Sequence, residues 1–297
     1  MLDISSYFQR ALQQAGVPVA PALIKGVRGT SNKEHVPEHL VKGILRAKHG
    51  LYINKDGTIR YDMTEMPITH FKPKEIGTSI KQLRALGYLQ DIKGNDLVSD
   101  DQLLEIKVQD IILPHSDESL DEGSQDVLFK IAHFVDDLLV HLYGLDPYYK
   151  LKKKEDLIGH LVVGLAPHIS AGMVGRIIGF SKTQGFLAHP SYHSSLRRDC
   201  DGDEACILLL TDMLLNFSRH YLPTHRGSTQ DAPLVLSSKL IPKEIDDMVY
   251  DLDVVWQYPL ELYQNALECK EPNSVKIACL GNYLGTPRQY EGFGFTH

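Results

Sequence analysis

Three aspartates at alternate positions, Asp199-Cys200-Asp201-Gly202-Asp203, stand directly between two arginines, Arg197 and Arg198, and a leucine-rich run, Ala205–Phe217. On a tight loop such carboxylates can converge, because Gly202 accepts backbone angles closed to other residues. Brought together without a cation they repel, and one is driven to protonate. Hard divalent cations such as Mg²⁺ take oxygen ligands, often one or two carboxylates with substrate phosphates and waters, and Asp201 and Asp203 suit that role. The competing reading is a solvated acidic turn in which Asp201 or Asp203 caps the next helix. An EF-hand does not fit, since its sixth position is Glu204 instead of Gly and its twelfth is Leu210 instead of Glu. The run from Ala205 to Phe217 is too long and too rich in leucine for a strand, which predicts a largely buried helix anchoring the acidic loop.

The rest of the chain predicts short strands among helices, a mixed α+β protein. Ile4 to Gln14 has a helical apolar face and stops near Gly16. Leu23 to Thr30 reads as a strand entering a basic loop, where Lys25, Arg28 and Lys33 are candidate phosphate contacts. A helix follows from Pro37 to about Lys48, and Asn54-Lys55-Asp56-Gly57 signals a hairpin between 51–53 and 58–61. Met66 to Phe71 is extended, Pro73 to Gly87 helical, and Leu104 to Pro114 a strand. A long amphipathic helix is expected from about Gln125 to Tyr143, ended by Gly144.

From Asp156 to Phe180 the glycines Gly159, Gly164, Gly172, Gly175 and Gly179 match neither a Walker loop nor GxGxxG. They predict close backbone packing beside the acidic loop. His189 and His193 have metal-ligand spacing on a helix, but Pro190 interrupts it at once, and no zinc pair is assigned. Pro242 to Tyr250, Leu260 to Leu267 and Val275 to Leu284 are read as C-terminal helices.

The formal net charge of −7 argues against nucleic-acid binding only if charge is evenly spread. Residues 1–60 hold nine Lys/Arg against four Asp/Glu, whereas residues 91–137 hold three against thirteen. No signal-peptide pattern or membrane-length apolar stretch is read, and the four cysteines form no CxxC pair. A cytoplasmic location with reduced thiols is expected.

The run "AHPSYHSSLRRDCDGDEACILLLTDMLLNFSRHYLP", followed by "DAPLVLSSKL" and "VVWQYPLELY", resembles the catalytic region of the large subunit of archaeal D-family DNA polymerase. So do "KGVRGTSNKEHVPEHLVKGILRAKHGLYINKDGTIRYDMTEMPITHFKPKEIG", "EDLIGHLVVGLAPHISAGMVGRIIGF" and the closing "LGTPRQYEGFGFTH", so the similarity covers roughly Lys25 to His297. The resemblance implies a double-psi β-barrel with helical insertions and a C-terminal helical lobe. It also implies Mg²⁺-dependent nucleotidyl transfer, in which a primer 3′-hydroxyl attacks the α-phosphate of a deoxynucleoside triphosphate and releases pyrophosphate. Asp201 and Asp203 match the family's metal-binding pair, Asp199 stands where the family carries Asn, and the family places the segment of Arg176 near its active centre, which makes Arg176 a further candidate phosphate contact.

The domain expectation is an N-terminal helix over 1–22, a barrel over 23–240 with a helical insertion at about 121–180, and a mostly helical lobe over 241–297. Family large subunits are much longer and carry a second barrel and zinc clusters, so a partial chain is expected. They act on primer-template DNA and deoxynucleotides with a small proofreading subunit and the sliding clamp. A DNA-binding remnant without catalysis and a metal-dependent nuclease or phosphoesterase stay open as alternatives.

Overall fold

The structure, a computed structural model, describes residues 3–24, 26, 38–115, 122–218, 221 and 235–292. Lys25, Arg28 and Lys33 therefore lie outside the described residues, with most of the expected strand over 23–30; Leu23 and Ile24 are irregular. Two helices open the chain, α1 (Ile4–Gln14) and α2 (Leu40–Lys48), both ending where the periodicity places them. Asp3 caps α1 by accepting from the Ser6 amide at 3.0 Å.

The hairpin signal at 51–61 forms its turn, with the Gly57 amide bonded to Asn54 O at 3.0 Å, but not its first strand. Buried Asp56 draws the following residues onto itself: it accepts from the Thr58 amide and hydroxyl and pairs with Arg60. Regular pairing begins only at β1 (Tyr61–Pro67). Next come β2 (His70–Phe71), a 3-10 turn at Pro73–Glu75, α3 (Ile80–Ala85), β3 (Leu104–Glu105) and β4 (Asp110–Pro114). The single strand expected over 104–114 is thus two, parted by a turn in which the Asp110 amide bonds Lys107 O. The long helix is α4 (Ser124–Leu138), widening to a π-turn over Leu139–Tyr143 and stopped by left-handed Gly144.

The expected helical insertion over 121–180 is corrected at this point. Its second half forms β5 (Leu161–Leu165) and the eleven-residue β6 (Ala171–Ser181). Then come β7 (Phe186–Ala188), α5 (Pro190–Ser195), β8 (Glu204–Leu209), α6 (Leu210–Asn216) and β9 (Val235–Ser237). The buried helix expected over 205–217 is likewise corrected: its first half is β8. Both faces of β8 are covered, so its sequence does not alternate with polar residues. Ala205, Ile207 and Leu209 join the main core, while Cys206 and Leu208 pack with Met213 of α6 and with Val163 and Leu165 of β5.

Six strands close on themselves in the order β4-β7-β1-β8-β5-β6, with β6 returning to β4 and β9 added along β6. The pairing is mixed: β1–β7 and β4–β6 run parallel, and the other four barrel pairs antiparallel. The main core gathers alternate barrel residues such as Ile111, Val162, Ile177 and Phe186 with the apolar faces of α1, α2 and α4. The outward Ile112, Ile178 and Leu187 pack instead under α3 and β3 through Leu83 and Leu104.

Gly164 and Gly175 have a specific use. A Cβ there would lie 2.8 Å and 2.7 Å from the Tyr192 hydroxyl, which donates to Met173 O at 2.8 Å. The bare hairpin of β5 and β6 therefore receives the ring of α5 directly, the close packing that the glycine spacing predicts.

After residue 240 the described chain contains one α-helix, α7 (Leu260–Leu267). The helix expected over 242–250 splits into 3-10 turns at Pro242–Glu244 and Asp247–Asp251, and that expected over 275–284 reduces to Leu280–Tyr283. A small cluster of Val249, Val254 and Leu280 holds these turns together. No helix among the described residues is long and apolar enough to cross a membrane.

Buried Asp212 ties α6 to the chain before β1, accepting from the Ile59 amide and the Asn216 side chain, each at 2.8 Å. Burial pushes its carboxyl up from 3.8 to about 6, against the opposing effect of those two hydrogen bonds. A carboxyl whose pKa rises on folding stabilises the fold fully below pH ~4, and that contribution is lost as pH climbs through ~6. At ~1.4 kcal/mol per unit the loss is about 3 kcal/mol. Asp212→Asn is therefore expected to flatten the stability profile between pH 4 and 7. Urea unfolding of both proteins across that range checks it, and a wild-type-to-variant difference that does not change with pH counts against the assignment.

Candidate metal centre

The acidic loop is set between two fixed stems. Upstream, α5 begins with Pro190 and is capped by His189, whose Nδ1 accepts from the Ser191 amide at 3.1 Å. The helix ends at Leu196, and Arg197 turns the chain with a left-handed φ of +58°, its amide bonded to Ser194 O at 3.0 Å. Downstream, β8 pairs with β1, Glu204 opposite Thr64, and the Glu65 amide donates to Asp203 O at 3.0 Å. The loop thus leads into a strand and not into a helix. Gly202 takes φ +105°, in the region that favours glycine.

Between these stems the side chains converge. Asp199, Asp201 and Asp203 each offer a carboxylate oxygen, and the three oxygens lie within 4.8 Å of one another. Asp201 is exposed, and Asp199 and Asp203 are half-buried. Partial burial raises the Asp199 carboxyl above its ordinary value; Asp201, Asp203 and Asp246 add to the rise, and Arg198 opposes it. Arg198 Nη1 lies 3.3 Å from Asp203 Oδ2, while the Arg197 side chain is exposed. Oxygen-only donors that repel one another, open to solvent on one side, fit a hard divalent cation with room for further oxygen ligands.

The other candidates fall elsewhere. Arg176, on β6, makes a two-pronged pair with Asp110, Nε to Oδ1 at 2.8 Å and Nη2 to Oδ2 at 2.7 Å, and also donates to Leu86 O. None of these contacts reaches the acidic loop. Among the described residues, four of the basic side chains of residues 1–60 are engaged within the fold. Arg46 is fully buried against Glu38, Lys48 pairs with Asp137, Arg60 with Asp56, and Lys42 donates to Leu215 O. The two histidines do not form a metal pair: the Nδ1 of His189 is engaged in its cap, and His193 turns to Glu65. Burial, with some repulsion from His193, pushes His189 down to about 3.

Sequence reasoning missed Glu65 itself. The residue is 1% exposed, directly behind the loop, and burial raises its carboxyl above its ordinary value. The available signal was the alternation Met63-Thr64-Glu65, which puts Glu65 on the same inward face as a methionine.

A family model described as "DNA polymerase II large subunit DP2, catalytic domain" matches residues 19–297. Curated relatives named DNA polymerase II large subunit align along the full chain. That of Methanosarcina barkeri is 49% identical over 298 residues, covering 100% of this chain and 25% of the relative. The Methanocella arvoryzae protein is 49% identical, covering 100% and 26%, and the Nanoarchaeum equitans protein 48% identical, covering 100% and 25%. The chain spans about a quarter of the length of these relatives. Matched from residue 19 to its last residue and close to half identical to archaeal relatives throughout, the chain belongs to the DNA polymerase II large subunit DP2 catalytic-domain family.

Proposed function

We propose that this chain is the catalytic part of a DNA-directed DNA polymerase of the D family, performing Mg²⁺-dependent nucleotidyl transfer in DNA replication. The observation that carries this reading is the convergence of Asp199, Asp201 and Asp203 on one open-sided loop in a chain of this family. Asp201 and Asp203 would hold Mg²⁺, with Asp199 as a third oxygen donor. Bound there, Mg²⁺ supplies charge stabilisation to a phosphoryl centre and lowers the pKa of an attacking hydroxyl. The chain's own part is to fix the carboxylates from α5 and β8, and to present Arg197 and Arg198 to substrate phosphates, where arginine can bind in two-pronged fashion. Arg176 is held by Asp110 and is assigned to the fold.

The closed six-stranded barrel with mixed pairing supports the double-psi topology. The unit over 23–240 is proposed as the catalytic barrel, with 241–297 as its C-terminal lobe. Primer-template DNA, deoxynucleoside triphosphates, a small proofreading subunit and the sliding clamp are the proposed partners, and the cytoplasm the proposed location. Hydrolysis assisted by histidine gains no support, because His189 and His193 are both buried.

Primed template, Mg²⁺ and labelled deoxynucleotide, given to the chain together with the remaining large-subunit regions and the small subunit, test the proposal. Elongated primer supports it; shortened primer identifies a nuclease, and binding alone a remnant. For the isolated chain, weak DNA binding with steep salt dependence is expected, log affinity falling by ~0.9 per log salt for each phosphate neutralised. Arg197→Ala and Arg198→Ala are each expected to reduce that slope by about 1. Affinity indifferent to salt would count against phosphate contacts at the loop.

A further inference from the structure

Behind the acidic loop, on the side away from solvent, Glu65 of β1 faces His193 of α5. Both side chains are fully buried, and Glu65 Oε2 lies 3.0 Å from His193 Nδ1. His193 Nε2 sits 3.2 Å from Met66 O, which can only accept, so the Nε2 hydrogen points there. The His193 ring stands edge-on to Phe186, centroids 5.1 Å apart, and Phe186 is the strand partner of Glu65 on β7. Apart from that 3.0 Å approach, Glu65 Oε1, Glu65 Oε2 and His193 Nδ1 make no hydrogen bond of regular geometry among the described residues.

His193 belongs to the upstream stem, α5, and Glu65 to β1, the strand that pairs with the downstream stem, β8. The backbone of Glu65 holds the downstream stem through Asp203 O, and His193 lies in the last turn of α5, where its carbonyl accepts from the Leu196 amide at 2.9 Å. We infer that Glu65 and His193 form a buried latch across the base of the acidic loop, holding its stems so that Asp199, Asp201 and Asp203 stay converged on one cation. They are positioning residues, since neither is among the converging carboxylates. The pair is a poor device for stability alone. Burying a glutamate and a histidine is unfavourable unless they are well paired, and apolar residues of similar volume commonly replace such pairs with no loss of stability. What a polar pair adds is a single geometry, as the partners behind metal ligands do elsewhere, where their loss typically weakens metal affinity ~10–100-fold.

This inference rests on the metal-site reading, and the experiment separates the two. Mn²⁺, a paramagnetic stand-in for Mg²⁺, is titrated into the unmodified chain, Glu65→Gln, His193→Gln and the double variant, with bound ion read by electron paramagnetic resonance and folding by thermal melting. Each single variant is expected to loosen Mn²⁺ at least ~10-fold, with the double variant no weaker than the worse single one. A second pair, Glu65→Met with His193→Leu, guards against variants that do not fold. It is expected to melt no lower than the unmodified chain and still to bind Mn²⁺ weakly. Unchanged Mn²⁺ affinity in folded variants overturns the latch and leaves the metal site standing. No Mn²⁺ binding by the unmodified chain overturns the metal site, and the latch with it.

Discussion

Asp201→Ala and Asp203→Ala are each expected to abolish primer extension by the assembled polymerase while leaving the chain folded and its DNA binding nearly intact. Both side chains sit on a loop at the surface of the barrel, outside the clusters of buried apolar residues, so their removal leaves no cavity in the core. What is lost is the oxygen pair on which a cation would rest. Several kcal/mol of transition-state charge stabilisation disappear with that cation, at least ~10³-fold in rate. Affinity for DNA, expected to come from basic side chains, is predicted to persist. Asp199→Asn keeps an oxygen donor at the third position and is expected to retain activity. Asp199→Ala falls below Asp199→Asn where position 199 coordinates, and equals it where the side chain only faces solvent. Single-nucleotide incorporation over a range of Mg²⁺ concentrations measures all four variants. Unmodified rates in both Asp201→Ala and Asp203→Ala would falsify the metal assignment.

Tyr192→Ala is expected to destabilise the chain by about 3–5 kcal/mol, the range for truncating a buried aromatic. Tyr192 is fully buried and lies on Gly164 and Gly175, with Phe186 edge-on at 6.0 Å between centroids. Neither glycine has a side chain to move into the space, so the void cannot collapse. Tyr192→Phe removes only the hydrogen bond to Met173 O and is expected to lose about 1 kcal/mol. Urea unfolding separates the two variants. A Tyr192→Ala loss no larger than that of Tyr192→Phe would show that the ring is not wedged against the hairpin.

The local turns of this fold are legible in the sequence, and its long pairings are not. Gly202 between acidic neighbours announces a loop on which carboxylates can meet, and Gly144 announces the end of α4. The spacing of Gly164 and Gly175 announces close packing, although not the tyrosine that fills it. Ala205–Leu209 misleads for a physical reason. A strand covered on both faces shows an unbroken apolar run, which periodicity cannot tell from a buried helix. Leu161–Leu165 is hidden in the same way.

The barrel depends on partners distant in sequence, such as Thr64 with Glu204, which no local pattern encodes. The basic balance of residues 1–60 points to a phosphate-binding surface, yet Arg46, Lys48 and Arg60 are paired with Glu38, Asp137 and Asp56. Charge counts along a chain do not register which charges the fold brings into contact.

The closed strand order bears on how further protein can join this unit. With β6 returning to β4, every barrel strand has neighbours on both sides, and the added β9 has three residues. The separate β2–β3 ribbon has two residues per strand. Among the described residues there is thus no long strand edge with unpaired amides onto which another chain could extend the sheet. Within the described residues that disfavours edge-to-edge aggregation and leaves little edge for β-augmentation. What the described residues offer a further domain or subunit is side chains, on helix faces and loops. Such interfaces can be rebuilt by substitution without breaking a single backbone hydrogen bond of the barrel.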